Sequence, residues 1–183
     1  MSDYDNVALM LGREPRGEVQ VAARCHLGLP VVIENPPVLP GGEPFPTRYW
    51  LTCPLAVELI NSAESNGAIS EFGAALDVSV ADAEYADGRD AIVAEMRERG
   101  DIAEGAPLPS GGVGGATGGV KCLHARYAYW RAGGADPAGA ATAERIGEPD
   151  CVRSCIATGE VEIVRPVAEA AGAVTETRRS VRP

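Results

Sequence analysis

Apolar residues recur at spacings of three and four along much of the chain, which is the period of one face of a helix. Together with neighbouring capping residues they predict helices over residues 3–11, 54–66, 79–99 and 121–131, with a further helix after Asp136-Pro137 that ends at Ile146. Pro54 suits the first helical position, so Cys53 falls at the N-cap. Gly88 lies inside the third helix at a cost of about 1 kcal/mol relative to Ala, and a pair of shorter helices is the alternative there.

Runs of β-branched residues predict the strands. Residues 19–23 and 30–34 form two strands joined by a tight glycine-containing turn, residues 48–52 form a third, and residues 161–164 form a last one. Five prolines make residues 35–46 a loop. The glycines and prolines of residues 105–119 predict a mobile surface loop.

These elements predict one α+β domain over residues 1–167, followed by a flexible tail over residues 168–183. A small, mainly antiparallel sheet from the N-terminal half is packed by three or more helices. The Cys/His blocks are expected to converge on one side of the domain.

The charge balance limits the partners that the chain can have. Lys and Arg number 16 against 26 Asp and Glu, a net charge of −10, and such a surface repels phosphate backbones and anionic lipids. We therefore expect neither nucleic acid nor a membrane as a partner. The first residues carry no basic and apolar leader pattern, which predicts a cytoplasmic protein. Thiols stay reduced there, so the odd number of five cysteines favours metal binding, catalysis or plain burial over a disulfide framework.

The soft metal ligands are clustered along the chain. Cys25, Cys53, Cys122 and His124 supply the four donors that a zinc ion or an iron–sulfur cluster requires. No Cys-x-x-Cys knuckle is present, and burial of the thiols as small apolar side chains is the alternative. Positions 122 and 124 are about 200° apart on a helix. Both can therefore ligate one ion only if Cys122 lies at or before the first turn.

Other chemistry remains open for the cysteines. Cys151 and Cys155 are four residues apart, which would place them on one helix face as two ligands, as a redox pair or as half-buried side chains. Cys53 and Cys122 lie at predicted helix N-termini, where the thiol pKa is lowered, so each is a candidate nucleophile with His124 or His26 as the base.

The glycine-rich run before the helix at Lys121 has the layout of an anion site. Gly118, Gly119, Lys121 and Arg48 are the candidate residues for a small phosphorylated ligand, which would make the protein an enzyme or a sensor. Neither nucleotide-binding glycine fingerprint is present, so an ordinary surface loop is the alternative. A third hypothesis is a non-catalytic interaction protein whose acidic face meets a basic partner.

Four blocks of residues, taken in order, resemble the bacterial DUF501 family, a family named for a domain of unknown function. The blocks are Leu11-Gly12-Arg13-x-Pro15-Arg16-Gly17, Ala23-Arg24-Cys25 with Gly28-x-Pro30, Pro44-Phe45-Pro46-Thr47-x-Tyr49-Trp50-Leu51-Thr52-Cys53-Pro54, and Val120-Lys121-Cys122-Leu123-His124. The resemblance covers roughly residues 7 to 140. It implies no mechanism, because the activity of the family is not established. Members of the family carry His at the position of Cys53, an exchange that a ligand position tolerates. At Asp136 the family commonly has Asn, so the chain departs from the pattern there.

Overall fold

A computed structural model describes residues 1–157 and 159–164 of the chain. It confirms the α+β class, with a small antiparallel sheet from the N-terminal half packed against helices. The helices are α1 (Asp3–Leu11), α2 (Pro54–Ser65), α3 (Ala68–Ala75), α4 (Ser79–Arg99), α5 (Leu123–Arg131) and α6 (Pro137–Ile146). The strands are β1 (Gln20–Arg24), β2 (Pro30–Glu34), β3 (Tyr49–Leu51), β4 (Ile156–Ala157) and β5 (Glu160–Val161). The tail predicted over residues 168–183 lies outside the described residues.

The main sheet has the order β1-β2-β3, and both pairs of strands are antiparallel. The central strand β2 is buried through Val31, Val32 and Ile33, and it packs onto the core formed with α2, α5 and α6. Gly28, with φ of 81°, closes the turn between β1 and β2. That turn holds Cys25 at the end of β1, as the sequence predicts.

The starts of two helices matter most for the site. Helix α2 begins at Pro54 with Cys53 as its N-cap, as the sequence predicts. Helix α5 begins at Leu123 and not at the predicted residue 121, so Cys122 is its N-cap in an extended conformation. The single helix predicted over residues 79–99 is confirmed as α4, and the alternative of two shorter helices is wrong, because the helix runs through Gly88. A Cβ at Gly88 would lie 2.8 Å from a guanidinium nitrogen of Arg48, so the glycine makes room for a side chain and does not end the helix.

Three further expectations need correction. Helix α3 has no counterpart among the predicted elements, although Phe72 anchors it in the core. Cys151 and Cys155 do not share a helix face, because the segment between α6 and β4 contains no helix. There the Ser154 hydroxyl bonds the backbone N–H and C=O of Ile156, and such local bonds compete with helix formation. The predicted last strand is displaced to β5, which ends at Val161.

The glycine-rich run is packed against the protein over part of its length, so the prediction of a surface loop is wrong for that part. Val113 and Ala116 are buried, and the Val113 N–H donates to Asp82 on α4. A Cβ on Gly112 would overlap the Asp82 side chain. The glycine therefore allows the backbone to approach α4 closely.

A buried arginine ties this run to two helices. The Arg126 side chain on α5 is 1% exposed and pairs with Asp136 at 3.0 Å and with Asp82 at 2.8 Å. It also donates to the Gly119 carbonyl at 3.0 Å.

The described helices include none that is long and apolar enough to span a membrane.

Candidate metal centre

Three potential ligands of different chemistry meet where the end of α2 faces the start of α5. The Cys122 Sγ lies 3.9 Å from the His124 Nδ1, and the same nitrogen lies 3.4 Å from the Glu64 Oε1. All three ligand atoms lie within 4.8 Å of one another. In the part of the chain that the structure describes, no other group of three or more Cys, His, Asp or Glu residues is this compact.

The conformation at the start of α5 brings Cys122 and His124 together. Cys122 precedes the first helical turn, with φ of −145° and ψ of 115°, which meets the condition that the residue spacing imposes on a shared site. His124 is the second helical residue. The extended cap turns the thiol back toward the imidazole, whereas two helical residues at this spacing would point in different directions.

Backbone groups hold the other two side chains in place. The His124 Nε2 lies 3.4 Å from the Val57 carbonyl oxygen on α2. If Nε2 carries the proton that this carbonyl accepts, Nδ1 presents its lone pair toward Cys122 and Glu64. The Glu64 Oε1 accepts the Leu123 N–H at 2.7 Å, so the carboxylate also satisfies the first amide of α5.

The electrostatics of the cluster favour the charged forms of the thiol and the imidazole. Burial opposes ionisation of Cys122, but the contact with His124 and the Ala125 amide outweigh it, so the pKa of the thiol lies below its ordinary value. Burial also opposes protonation of His124, but contacts with Cys122, Glu64 and the Val57 carbonyl raise the pKa of the imidazole above its ordinary value. The metal-free cluster therefore favours a thiolate, which is the form that binds metals, and an imidazolium, which must release its Nδ1 proton before it can bind one.

The spacing of the three atoms can be compared with that of a zinc site. Tetrahedral zinc with bonds of about 2.3 Å to sulfur and about 2.0–2.1 Å to nitrogen and oxygen separates S from N by about 3.5 Å and N from O by about 3.4 Å. The observed 3.9 Å and 3.4 Å lie close to these values. The side chains of His124 and Glu64 are 23% and 22% exposed, so water can reach the centre.

The structure divides the four ligands predicted from sequence. Cys122 and His124 lie together with Glu64 in the candidate metal centre, whereas Cys25 and Cys53 line a separate apolar cavity. Burial raises the pKa of Cys53 to about 11, and its side chain does not cap α2.

The residues predicted to hold an anion have other partners. Arg48 donates to Glu34 at 2.7 Å, and its guanidinium lies over the Tyr49 ring. Lys121 donates to Thr117 at 3.2 Å, and Gly119 uses its carbonyl to accept from Arg126. Gly118 is exposed. Phosphate binding by this set stays a prediction, and at the start of α5 it would compete with the carboxylate of Glu64.

Residues 21–144 match the model of the family described as a protein of unknown function, DUF501. The chain belongs to this family. No curated protein and no solved structure matches the chain. The part that matches the DUF501 model contains all three residues of the candidate metal centre, together with Cys25 and Cys53, whereas Cys151 and Cys155 lie beyond it.

Glu64 is the candidate ligand that is absent from the set predicted from the sequence of this DUF501 chain. It lies in the polar last turn of α2, among residues that look like ordinary surface positions. Only the packing of α2 against α5 brings its carboxylate to Cys122 and His124. A sequence signal for it was weak, because an acidic residue near the end of a helix is unfavourable to the helix dipole but common at surfaces.

Proposed function

We propose that this protein binds one divalent transition-metal ion, with zinc as the best fit, through the Cys122 Sγ, the His124 Nδ1 and the Glu64 Oε1. The observation that carries the proposal is the convergence of these three atoms while the His124 Nε2 faces a backbone carbonyl. Metal-bound histidines commonly donate their second ring N–H to a carbonyl or a carboxylate, which fixes the tautomer and the ring orientation.

The donor set supports zinc over the harder cations. A thiolate, an imidazole and a carboxylate are the three side-chain types that zinc uses, whereas Ca²⁺ and Mg²⁺ take oxygen ligands. Three protein ligands leave a fourth position for water or for a ligand, which is the pattern of reactive zinc sites. Partial exposure of His124 and Glu64 gives that position access to solvent.

A second candidate function is a cysteine nucleophile, which the lowered pKa of Cys122 favours. In a cysteine–histidine catalytic pair a third group orients the imidazole through the nitrogen that faces away from the nucleophile. Here the Cys122 thiol and the Glu64 carboxylate both face Nδ1, and Nε2 faces the Val57 carbonyl. Two ligand atoms on the same side of the ring match a shared ion better than a proton relay.

The test is zinc binding by the metal-free full chain, measured by competition with a chromogenic chelator. Zinc binding should weaken in each of the three ligand variants, Cys122→Ser, His124→Gln and Glu64→Gln. The loss should exceed 10–100-fold, which is the typical effect of removing a residue that only hydrogen-bonds to a metal ligand. His26→Gln and Glu98→Gln are the matched controls, since His26 is the other histidine of the chain and Glu98 is exposed on α4.

The two controls should bind zinc as the unmodified protein does. Circular dichroism of each metal-free variant shows whether it is folded. Absence of stoichiometric zinc binding by the folded unmodified protein would overturn the proposal. The proposal would also be overturned if all three ligand variants bound zinc with the affinity of the unmodified protein.

A further inference from the structure

Four of the five cysteines of the chain lie around one cavity outside the metal centre. Cys25, Cys53, Cys151 and Cys155 are among the fourteen residues that line it. The rest of the lining is mainly apolar and includes Met10. Chance burial of cysteines as small core residues would scatter them through the core, but here three separate segments of chain bring them to the same cavity.

Two of the three segments are fixed by their own local structure. Cys25 ends β1 in a tight turn in which its N–H donates to Leu29 and its carbonyl accepts from Gly28. Cys53 is the N-cap of α2. Cys151 and Cys155 lie in the irregular segment between α6 and β4, and the His26 Nε2 lies 2.9 Å from the Cys151 carbonyl oxygen. This last contact joins the segment to the turn that carries Cys25.

The spacing of the thiols distinguishes between two kinds of metal site. Four thiolates on one zinc ion lie about 3.8 Å apart. In the described residues no three of these four sulfurs all lie within 4.8 Å of one another, since the compact group of ligand atoms is the one around His124. The thiols are therefore not arranged as the ligands of one zinc ion, and four cysteines are also the ligand set of a polynuclear iron–sulfur cluster.

We infer that Cys25, Cys53, Cys151 and Cys155 ligate an iron–sulfur cluster at this cavity, a site separate from the proposed zinc centre. The cavity holds about 30 Å³, room for roughly two water molecules, so cluster binding requires the segment of residues 147–155 to move outward. This segment contains neither helix nor strand, and Val152 within it is exposed. Its movement breaks no secondary structure.

The surroundings suit the charge of such a cluster. Arg131 lines the cavity and pairs with Glu148, which also lines it, at 3.6 Å, so a cation lies beside the four thiols. Burial raises the pKa of Cys53, Cys151 and Cys155, so these thiols must release their protons when iron binds. The apolar residues around the cavity limit access of water to the cluster.

The test uses the full chain, purified without oxygen and reconstituted with ferrous iron, sulfide and a thiol reductant. Iron and acid-labile sulfide should bind in nearly equal amounts and give the broad visible absorption of a cluster. Cys151→Ser should lose both, and Cys122→Ser, which also replaces a half-buried thiol, should keep both. The same two variants should behave in the opposite way in the zinc titration, so failure of one site is distinguishable from failure of the other.

Several outcomes would overturn the inference. The unmodified protein could fail to bind iron in a sulfide-dependent way. The four thiols could bind zinc and not a cluster. Folded Cys151→Ser could retain the cluster. If Cys151→Ser does not fold, the test uses alkylation of the cysteines in the unmodified protein, with and without bound iron. The four thiols should resist alkylation until a chelator removes the iron, and equal labelling before and after chelation would overturn the inference.

Discussion

Replacement of Asp136 should destabilise the protein more than replacement of any surface carboxylate. One of its oxygens caps α6 by accepting the Gly139 N–H at 2.8 Å, and the other accepts from Arg126 at 3.0 Å. The Asp136 side chain is completely buried, and the Arg126 side chain is 1% exposed. Asp136→Ala therefore removes a helix cap and one of the two carboxylates that balance a buried cation.

The magnitude follows from these two losses. The cap contributes about 1 kcal/mol, and removal of one partner from a buried ion pair costs about 3–5 kcal/mol. Asp82 and the Gly119 carbonyl still contact Arg126 after the substitution, so we take the lower end of that range. The total is about 4 kcal/mol for Asp136→Ala. Asp136→Asn keeps a capping oxygen and should cost about 2 kcal/mol, the range of one hydrogen bond to a charged group.

Urea unfolding of the metal-free variants, followed by circular dichroism, measures both losses in the free energy of unfolding. In a thermal melt, the melting temperature should fall by about 10 °C for Asp136→Ala, because 1 kcal/mol corresponds to about 2–4 °C in a protein of this size. Asp101→Ala is the control, since Asp101 pairs with Arg99 and the two side chains are 48% and 60% exposed, and it should cost less than about 1 kcal/mol. A loss below 1 kcal/mol for Asp136→Ala would refute the reasoning.

Three other predictions concern the packing and the chemistry near α5. Gly112→Ala should lower the free energy of unfolding by about 1–3 kcal/mol in a urea titration, because the added Cβ overlaps Asp82. In the metal-free protein, an NMR titration should give His124 a pKa above 6.5. The stabilisation linked to its protonation is then present below pH 6.5 and is lost as the pH rises through the raised pKa; Cys122→Ser should lower that pKa, and no change would contradict the pairing. Iodoacetamide should modify Cys122 faster than Cys53 near pH 8, because the pKa of the first thiol is lowered and that of the second is about 11.

The sequence predicts the elements that have strong local signals. Pro54 and the apolar period after it correctly place α2, and the turn residues after Cys25 correctly place the first hairpin. Prediction fails where a distant contact decides the structure. Gly112 looks like loop composition, but it fits against α4.

The candidate site shows the same division between local and distant information. The extended N-cap at Cys122 could be predicted from the glycines before it and from the condition that residues 122 and 124 bind the same metal ion. Glu64 could not, because its role depends on how α2 packs against α5. The grouping of Cys151 with Cys25 depends on the path of the chain after α6, for which local sequence gives no signal.

The geometry of α2 explains why the four predicted ligands are divided between two sites. Cys53 precedes the helix and lines the cysteine cavity, whereas Glu64 lies in its last turn and faces Cys122. Cys53 and Glu64 are eleven positions apart along the chain, which corresponds to a helical rise of about 16 Å. Side chains anchored at opposite ends of a helix this long do not converge on one mononuclear ion. One end of α2 therefore contributes a thiol to the proposed cluster site and the other end contributes a carboxylate to the proposed zinc centre, which makes correct formation of this helix a requirement of both.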